Sequence, residues 1–354
     1  KFVLRSKAES LETLSPLVTL SVIDPMVNLT FSDWELDPEK IIEKIFSVFP
    51  SSPLAVRSSA SGEDSWSASE AGKYHSALNV TRGSHNALTT AIEEVFNSYD
   101  TLGPDANLIV QAMVGNLSAH GVVTSRTMQT GAPYYTINYD DNNEDTTTVT
   151  SGNSTGLKLA MVYRNSEEHH SQLPQTINQV IPAIQELERL VGHDALDIEF
   201  AVTIDGIVHI LQIRPLTMIA THETEDWDRK VSEEITSIHQ KFDSLQRPAP
   251  FMFGGRSILG IMPDWNPAEI IGTRPRRLAL SIYRFLVTDD TWSTQRREYG
   301  YRDVAPHPLL QELGGHPYID TRAMFNSFIP ADIPDELATR LVNVYLDRLE
   351  QEPH

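Results

Sequence analysis

Two periodicities share this chain. Apolar residues recur at helical spacing over several stretches, and alternate or run together over the short segments between them. Helical spacing predicts a helix from Pro38 to about Phe49, with Ile41, Ile42, Ile45 and Phe46 on one side and Asp37 as its cap ahead of a proline in the first turn. It predicts a second between Ser84 and Tyr99, carrying Leu88, Ile92, Val95 and Phe96, and a third from Pro174 to Leu190. Extended segments are expected near Leu17–Ile23, at Leu54–Val56, over 71–80, and over Leu108–Val114, where Gln111 is the one polar residue. Another is expected over Gly121–Ser125. The clearest element is a hairpin: Leu196–Val202 alternates, Asp205-Gly206 supplies the turn, and Ile207–Pro215 alternates again. Past Thr217 the character changes. An acidic stretch, Thr221–Asp228, reads as a linker, and Trp227, Val231, Ile235, Ile238, Phe242 and Leu245 mark a long helix beginning there, closed by Gln246–Pro250. Gly314–His316 reads as a structural turn into a strand at Tyr318–Asp320. A last helix, about Asp335 to Glu350, is expected to bury Leu337, Leu341, Tyr345 and Leu349. The predicted class is α+β, with one module over 1–217, its first subdomain about 1–100, and a mainly helical region over 222–354.

Composition narrows the chemistry. The chain has 354 residues and no cysteine, which excludes thiolate nucleophiles, disulfides and Cys-ligated zinc. A net charge of −20 argues against general binding to nucleic acid or to anionic membranes, so a phosphate site would be a local exception. With 40% hydrophobic residues and no apolar run near the ~20 needed to cross a bilayer, a soluble globular chain is expected. Its first residues show no secretory signal. The chain reads as bacterial-type, cytoplasmic and a fragment of something longer.

Two segments concentrate the candidate chemistry. In Leu54–Asp64 a short apolar run delivers Arg57 into a stretch rich in Ser, Gly and Ala, a common way to line an anion site, although the same pattern also makes an ordinary hairpin connection. In the Asp205-Gly206 hairpin, alternation places Asp197 and Glu199 on one face and Gln212 and Arg214 on one face. Oxygen donors of this kind suit Mg²⁺, and an arginine beside them suits the phosphates that Mg²⁺ accompanies; a cross-strand ion pair on a solvated face is the other reading.

Together these segments resemble the ATP-binding part of the phosphoenolpyruvate synthase, pyruvate phosphate dikinase and rifampin phosphotransferase group. The residues carrying the resemblance are VRSSASGED (56–64), AGKYHSALNV (71–80), IVQAMV (109–114), GVVTSR (121–126) and DIEFAV with LQIRPLT (197–217), in matching order over roughly residues 1–220. The resemblance implies an ATP-grasp fold, ATP and Mg²⁺ as cofactors, and a dikinase-type phosphotransferase. In such an enzyme ATP phosphorylates a histidine on a swivelling domain, which then passes the group to pyruvate or another small acceptor. It implies Lys7 and Arg57 on phosphates, Gly72 and Ser76 in a covering loop, and Gln111 near the base. Glu199 and Gln212 fall on Mg²⁺ with Asp197 supporting, and Arg214 on the transferring phosphoryl group. A structural role for Gln111 stays open.

The chain also departs from that group. Lys7 lacks flanking glycines, and the interval from Lys7 to Arg57 is short. A Thr-Arg-Asp/Asn-Pro turn is replaced by Ser125–Gly131, and a Gly-Leu-Gly-Glu segment by the acidic run Asp140–Asp145, which reads as a solvated loop. No histidine sits in a phospho-carrier motif, so the chain is expected to be the nucleotide-using half, its partner a phosphohistidine domain or a small-molecule acceptor. Arg274, Arg276 and Arg277 fit either an anionic substrate or a solvated helix start. Two other classes remain: a non-catalytic nucleotide-binding regulatory module, and a ligase acting through an acyl phosphate.

Overall fold

Ser6 accepts the N–H of Glu9 and so caps α1 (Lys7–Leu14), the first element of a computed structural model that describes residues 4, 6–50, 53–59, 64–65, 68–69, 75–81, 83–99, 103, 106–141, 157–166, 173–217, 224–261 and 267–352. The chain divides into two compact units, Lys1–Asp228 and Arg229–His354. The α+β class read from the sequence is borne out.

In the first unit, β1 (Met26–Thr30) runs into α2 (Phe31–Leu36) through a capping box in which Thr30 and Asp33 satisfy each other's backbone. Next come α3 (Pro38–Val48), capped by Asp37 as expected, and β2 (Leu54–Ser58). A two-residue ladder joins β3 (Asp64–Ser65) to β4 (Ala68–Ser69), and β5 (Ser76–Val80) leads to α4 (His85–Asn97). With β6 (Asn107–Ala112), these strands form a four-stranded antiparallel sheet in the order β1-β6-β2-β5. Helices α2, α3 and α4 cover one face of it through Trp34, Ile42, Ile45, Leu88, Ile92 and Phe96.

The remaining strands of this unit are β7 (Leu117–Thr124), β8 (Tyr134–Asp140), β9 (Lys158–Tyr163), β10 (Leu196–Thr203) and β11 (Val208–Pro215). They form a second antiparallel sheet in the order β11-β10-β7-β8-β9. Gly206 holds φ at +84° in the β10–β11 turn, which glycine adopts without strain. Gly121 is needed for another reason, since a Cβ there would lie 2.2 Å from the carbonyl oxygen of Asn138 on β8. Helices α5 (Gln175–Asn178) and α6 (Val180–Val191) pack against one face, on Ile198, Phe200, Val202, Ile210 and Ile213. Leu11 and Leu14 of α1 join the same core, so this short helix packs beneath the second sheet.

The strand expected near Leu17–Ile23 is not formed. The N–H groups of Thr19 and Leu20 donate instead to the carboxylate of Glu186 on α6, at 3.0 and 2.9 Å, and only Val22 makes an isolated bridge, to His209. Asp140 also departs from expectation: it ends β8 and is fully buried, and Asp141 pairs with Lys158 at 2.7 Å, while 142–145 lie outside the described residues. Within Ser125–Gly131, the 2%-exposed Arg126 donates to the Gly131 carbonyl, to Asp194 and to both oxygens of Asp228.

From Thr224 on, the acidic stretch expected as a linker is the first turn of α7 (Thr224–Leu245). In the second unit this helix is followed by β12 (Leu259–Gly260), α8 (Pro267–Ile271), α9 (Arg277–Tyr283), a π-helical turn at Arg284–Thr288 and α10 (Asp290–Glu298). A small antiparallel sheet, β12 with β13 (Leu310–Leu313) and β14 (His316–Asp320), precedes α11 (Thr321–Asn326) and α12 (Asp335–Gln351). The Gly314-Gly315 turn is structural, as read, and Arg274, Arg276 and Arg277 are exposed. α12 buries Ala338, Val342 and Leu346, one position round from the expected stripe; Leu337 and Tyr345 are exposed. The backbone of Gly254 explains the offset, because its missing Cβ leaves room for Val342 and Leu346 to approach. Among the described residues no helix is long and apolar enough to cross a membrane.

Burial pushes the Glu186 carboxyl up, but the hydrogen bonds from Thr19 and Leu20 outweigh it and hold the group below its ordinary range. A lowered carboxylate stabilises the fold above its unfolded value near 4.5 and loses that contribution as pH falls through the folded value. Glu186→Gln should therefore cost about 1 kcal/mol at pH 7 and less at pH 3.5. Urea unfolding at the two pH values checks this, and an equal loss at both would refute it.

Candidate functional site

The sheet faces left uncovered by helices hold the candidate site. On β2, Val56 enters the core beneath α3 and α4, so alternation turns Ala55 and Arg57 to the opposite face. Gln111 pairs in register with Ala55 and therefore shares that face, as does Ser76, the partner of Arg57 on β5. On the second sheet Ile198 and Ile213 point into the core, which turns Asp197, Glu199, Gln212 and Arg214 the other way. The hairpin register sets Asp197 opposite Arg214 and Glu199 opposite Gln212, so four polar side chains form a square, as the alternation required.

An ion pair joins the two faces. Arg57 Nη1 donates to Glu199 Oε2 at 2.8 Å, with the side chains only 10% and 15% exposed. One register step along, Arg214 donates through Nε and Nη2 to Asp197 Oδ2, at 2.8 and 2.7 Å. Burial pushes the Asp197 carboxyl up, against the opposing pull of Arg214. Two buried polar atoms here are left without a hydrogen-bond partner: the donor Arg57 Nε and the acceptor Asp197 Oδ1. A buried donor without an acceptor and a buried acceptor without a donor are costly unless a ligand supplies both.

A β-bulge completes the lining. The register of β11 slips between Gln212 and Ile210, so Leu211 is the extra residue. Leu211, Asp24, Arg57 and Gln111 line a cavity of about 20 Å³, room for about one water molecule and too small for a base. Gln111 is 7% exposed and Gln212 5%.

Lys7 begins α1 and is 8% exposed. The next residue, Ala8, donates its N–H to the hydroxyl of Ser59, at 3.1 Å, which ties the start of α1 to the end of the strand bearing Arg57. Ser76 is exposed on β5, and Gly72 lies outside the described residues. Among the described residues no three His, Asp or Glu side chains gather as a metal cage. The oxygen-bearing side chains that the hairpin brings together are Asp197, Glu199 and the Gln212 amide.

Sequence reasoning missed several neighbours. Asp24 Oδ2 accepts from His209 Nδ1 at 2.7 Å, and His120 and Asp140 are buried opposite one another on β7 and β8. The signal available was the position of His120 and His209 on strands, but nothing local distinguishes a histidine on the polar face from one on a solvated edge.

Residues 34–106 match the family model described as pyruvate phosphate dikinase, AMP/ATP-binding domain, which bears out the resemblance read from the sequence. No curated protein matches the chain. Among solved structures, the chain is similar to D-alanine-D-alanine ligase from Helicobacter pylori, at 12% identity over 60% of this chain and 54% of that one, with a TM-score of 0.34. It is similar to the D-alanine-D-alanine ligase from Coxiella burnetii at 13% identity over 67% and 61%, with a TM-score of 0.34. The chain thus spans little more than half the length of these structures, and likenesses this distant leave activity open.

Because Arg57 is buried, deleting its partner should be felt in the empty protein. Glu199→Ala is expected to lower the unfolding free energy by about 2 kcal/mol, below the ~3–5 of a wholly buried pair because both groups keep some exposure. The double variant Arg57→Met/Glu199→Met should recover most of that loss, since an apolar pair of similar volume leaves no charge stranded. Denaturant unfolding of the three chains checks it; a single variant within 0.5 kcal/mol of the parent would show that the pair carries no such load.

Proposed function

We propose, taking residues 34–106 as pyruvate phosphate dikinase-type AMP/ATP-binding-domain sequence, that this chain binds ATP between its two antiparallel sheets and transfers a phosphoryl group from it. The observation that carries this reading is the meeting of Arg57 and Glu199 from separate sheets beside the two orphaned atoms, Arg57 Nε and Asp197 Oδ1. An unsatisfied guanidinium N–H is suited to a phosphate oxygen, and an unsatisfied carboxylate oxygen to a hard cation.

The donor set fits a divalent metal. Asp197, Glu199 and Gln212 offer oxygen only, the ligand type Mg²⁺ prefers, and a metal held there would neutralise charge on the phosphates. Arg57 and Lys7 would hold phosphate oxygens, and Arg214, fixed by Asp197, would face the group being transferred. Ser76, in register with Arg57, would cover the phosphates together with the Gly72 segment. Gln111 would contact the nucleoside side. Phosphoryl transfer depends on in-line positioning and charge stabilisation rather than on a protein nucleophile, so this set of side chains suffices in kind.

The acceptor in this reading is a histidine on a partner domain or a small molecule, giving a dikinase-type phosphotransferase of which this chain supplies the nucleotide-binding half. The proposed compartment is the cytoplasm, which holds the ATP such a reaction uses.

Mg-ATP should raise the melting temperature of the chain, and Arg57→Lys should weaken ATP binding while leaving adenosine affinity within about twofold. Lysine keeps the charge but cannot present the guanidinium fork to two phosphate oxygens. Calorimetric titration of both ligands into both proteins reads this directly. Absence of any stabilisation by ATP with Mg²⁺ up to millimolar concentrations, where binding would be weaker than about −4 kcal/mol, would reject the function.

A further inference from the structure

We infer that the Arg57–Glu199 ion pair selects for metal and nucleotide arriving together and discriminates against either alone. The inference rests on the proposed reading of the site as one for ATP and a divalent cation. Each member of the pair belongs to a different half of the ligand: Arg57 to the phosphates, Glu199 to the metal. In the empty protein they are bound to each other at 2.8 Å, both largely buried.

A metal ion arriving alone must either displace Arg57 from Glu199 or share that carboxylate with it. In both cases the cation sits against a guanidinium that is nine-tenths buried and has lost some or all of its compensation. A metal-free nucleotide meets the mirror problem: its phosphates draw Arg57 away and leave the Glu199 carboxylate facing them. When both arrive, Arg57 gains phosphate oxygens as Glu199 gains the cation, and no buried charge is stranded.

The neighbouring pair, Arg214 on Oδ2 of Asp197, lies within one hairpin and leaves Oδ1 buried and without a hydrogen-bond partner. The pair divided between the two sheets, and so between the two halves of the ligand, is Arg57–Glu199.

The test is calorimetric titration, with thermal unfolding as a check on folding, of Mg²⁺ alone, ATP in EDTA, and β,γ-imido-ATP with Mg²⁺. In the parent chain, Mg²⁺ should bind at least tenfold more tightly in the presence of the imido analogue than alone. Arg57→Met should bind Mg²⁺ alone at least tenfold more tightly than the parent, yet bind the metal–nucleotide complex at least tenfold more weakly. Glu199→Gln should invert this, gaining affinity for metal-free ATP and losing it for the complex. Arg57→Lys, which keeps the charge, should leave Mg²⁺ alone weakly bound.

Opposite signs within one variant cannot come from a damaged fold, which would weaken every ligand. Independent binding of metal and nucleotide in the parent, or an Arg57→Met chain with unchanged or weaker affinity for Mg²⁺ alone, would overturn the inference while leaving the nucleotide site standing. Failure of the parent to bind the imido analogue with Mg²⁺ would instead remove the function on which the inference rests.

Discussion

Two sheets with unlike sequences are joined by a buried ion pair. Arg57 and Glu199 are 142 positions apart, and neither could be buried alone at tolerable cost, because an isolated charge of that size loses several kcal/mol of hydration. Their pairing makes it possible for both uncovered sheet faces to carry charge in a place that water barely reaches. Such a pair gains little net stability over an apolar equivalent, and the proposed ligand site would give its charges a role that folding does not.

The rest of the candidate site follows from how each sheet is covered. Helices α2, α3 and α4 take one face of the first sheet, and α5 and α6 take one face of the second, so alternation leaves Arg57 and Gln111 on one free face and the Asp197–Arg214 square on the other. Positive and negative groups are interleaved across the square, which keeps the site close to neutral inside a chain of net charge −20. The orphaned N–H of Arg57 and the orphaned oxygen of Asp197 are the two places where this neutrality is incomplete at the level of single atoms. They have opposite hydrogen-bonding character, as a ligand combining an anion with a cation requires.

Much of this was legible in the chain itself. The Asp205-Gly206 turn and the period-two alternation on either side of it indicate which residues of the hairpin face the same way, and the observed register sets Asp197 opposite Arg214 and Glu199 opposite Gln212, although the bulge at Leu211 shifts the pairing by one nearer the turn. The helices at Pro38–Val48 and His85–Asn97 have the apolar stripes that announced them, and the first has the Asp37 cap read for it. Where reading failed, a non-local partner was responsible. The apolar run Leu17–Ile23 looks like a strand until Glu186 takes its N–H groups; the stripe on α12 is displaced because Gly254, far away in sequence, offers room beside Val342 and Leu346. Asp140 looks solvated in an acidic run, yet it terminates β8 and is fully buried.

The sequence by itself determined the elements, their periodic faces and the short-range order of polar groups within the hairpin, because turn geometry and alternation act over a few residues. Tertiary structure alone decided that Glu199 is bound to Arg57 and not to its own strand neighbours, that Asp197 keeps one oxygen unsatisfied, and that the bulge at Leu211 reaches the same cavity as Gln111. Those outcomes depend on which sheet faces approach each other, and that is set by the packing of helices onto the opposite faces, a constraint no local pattern contains.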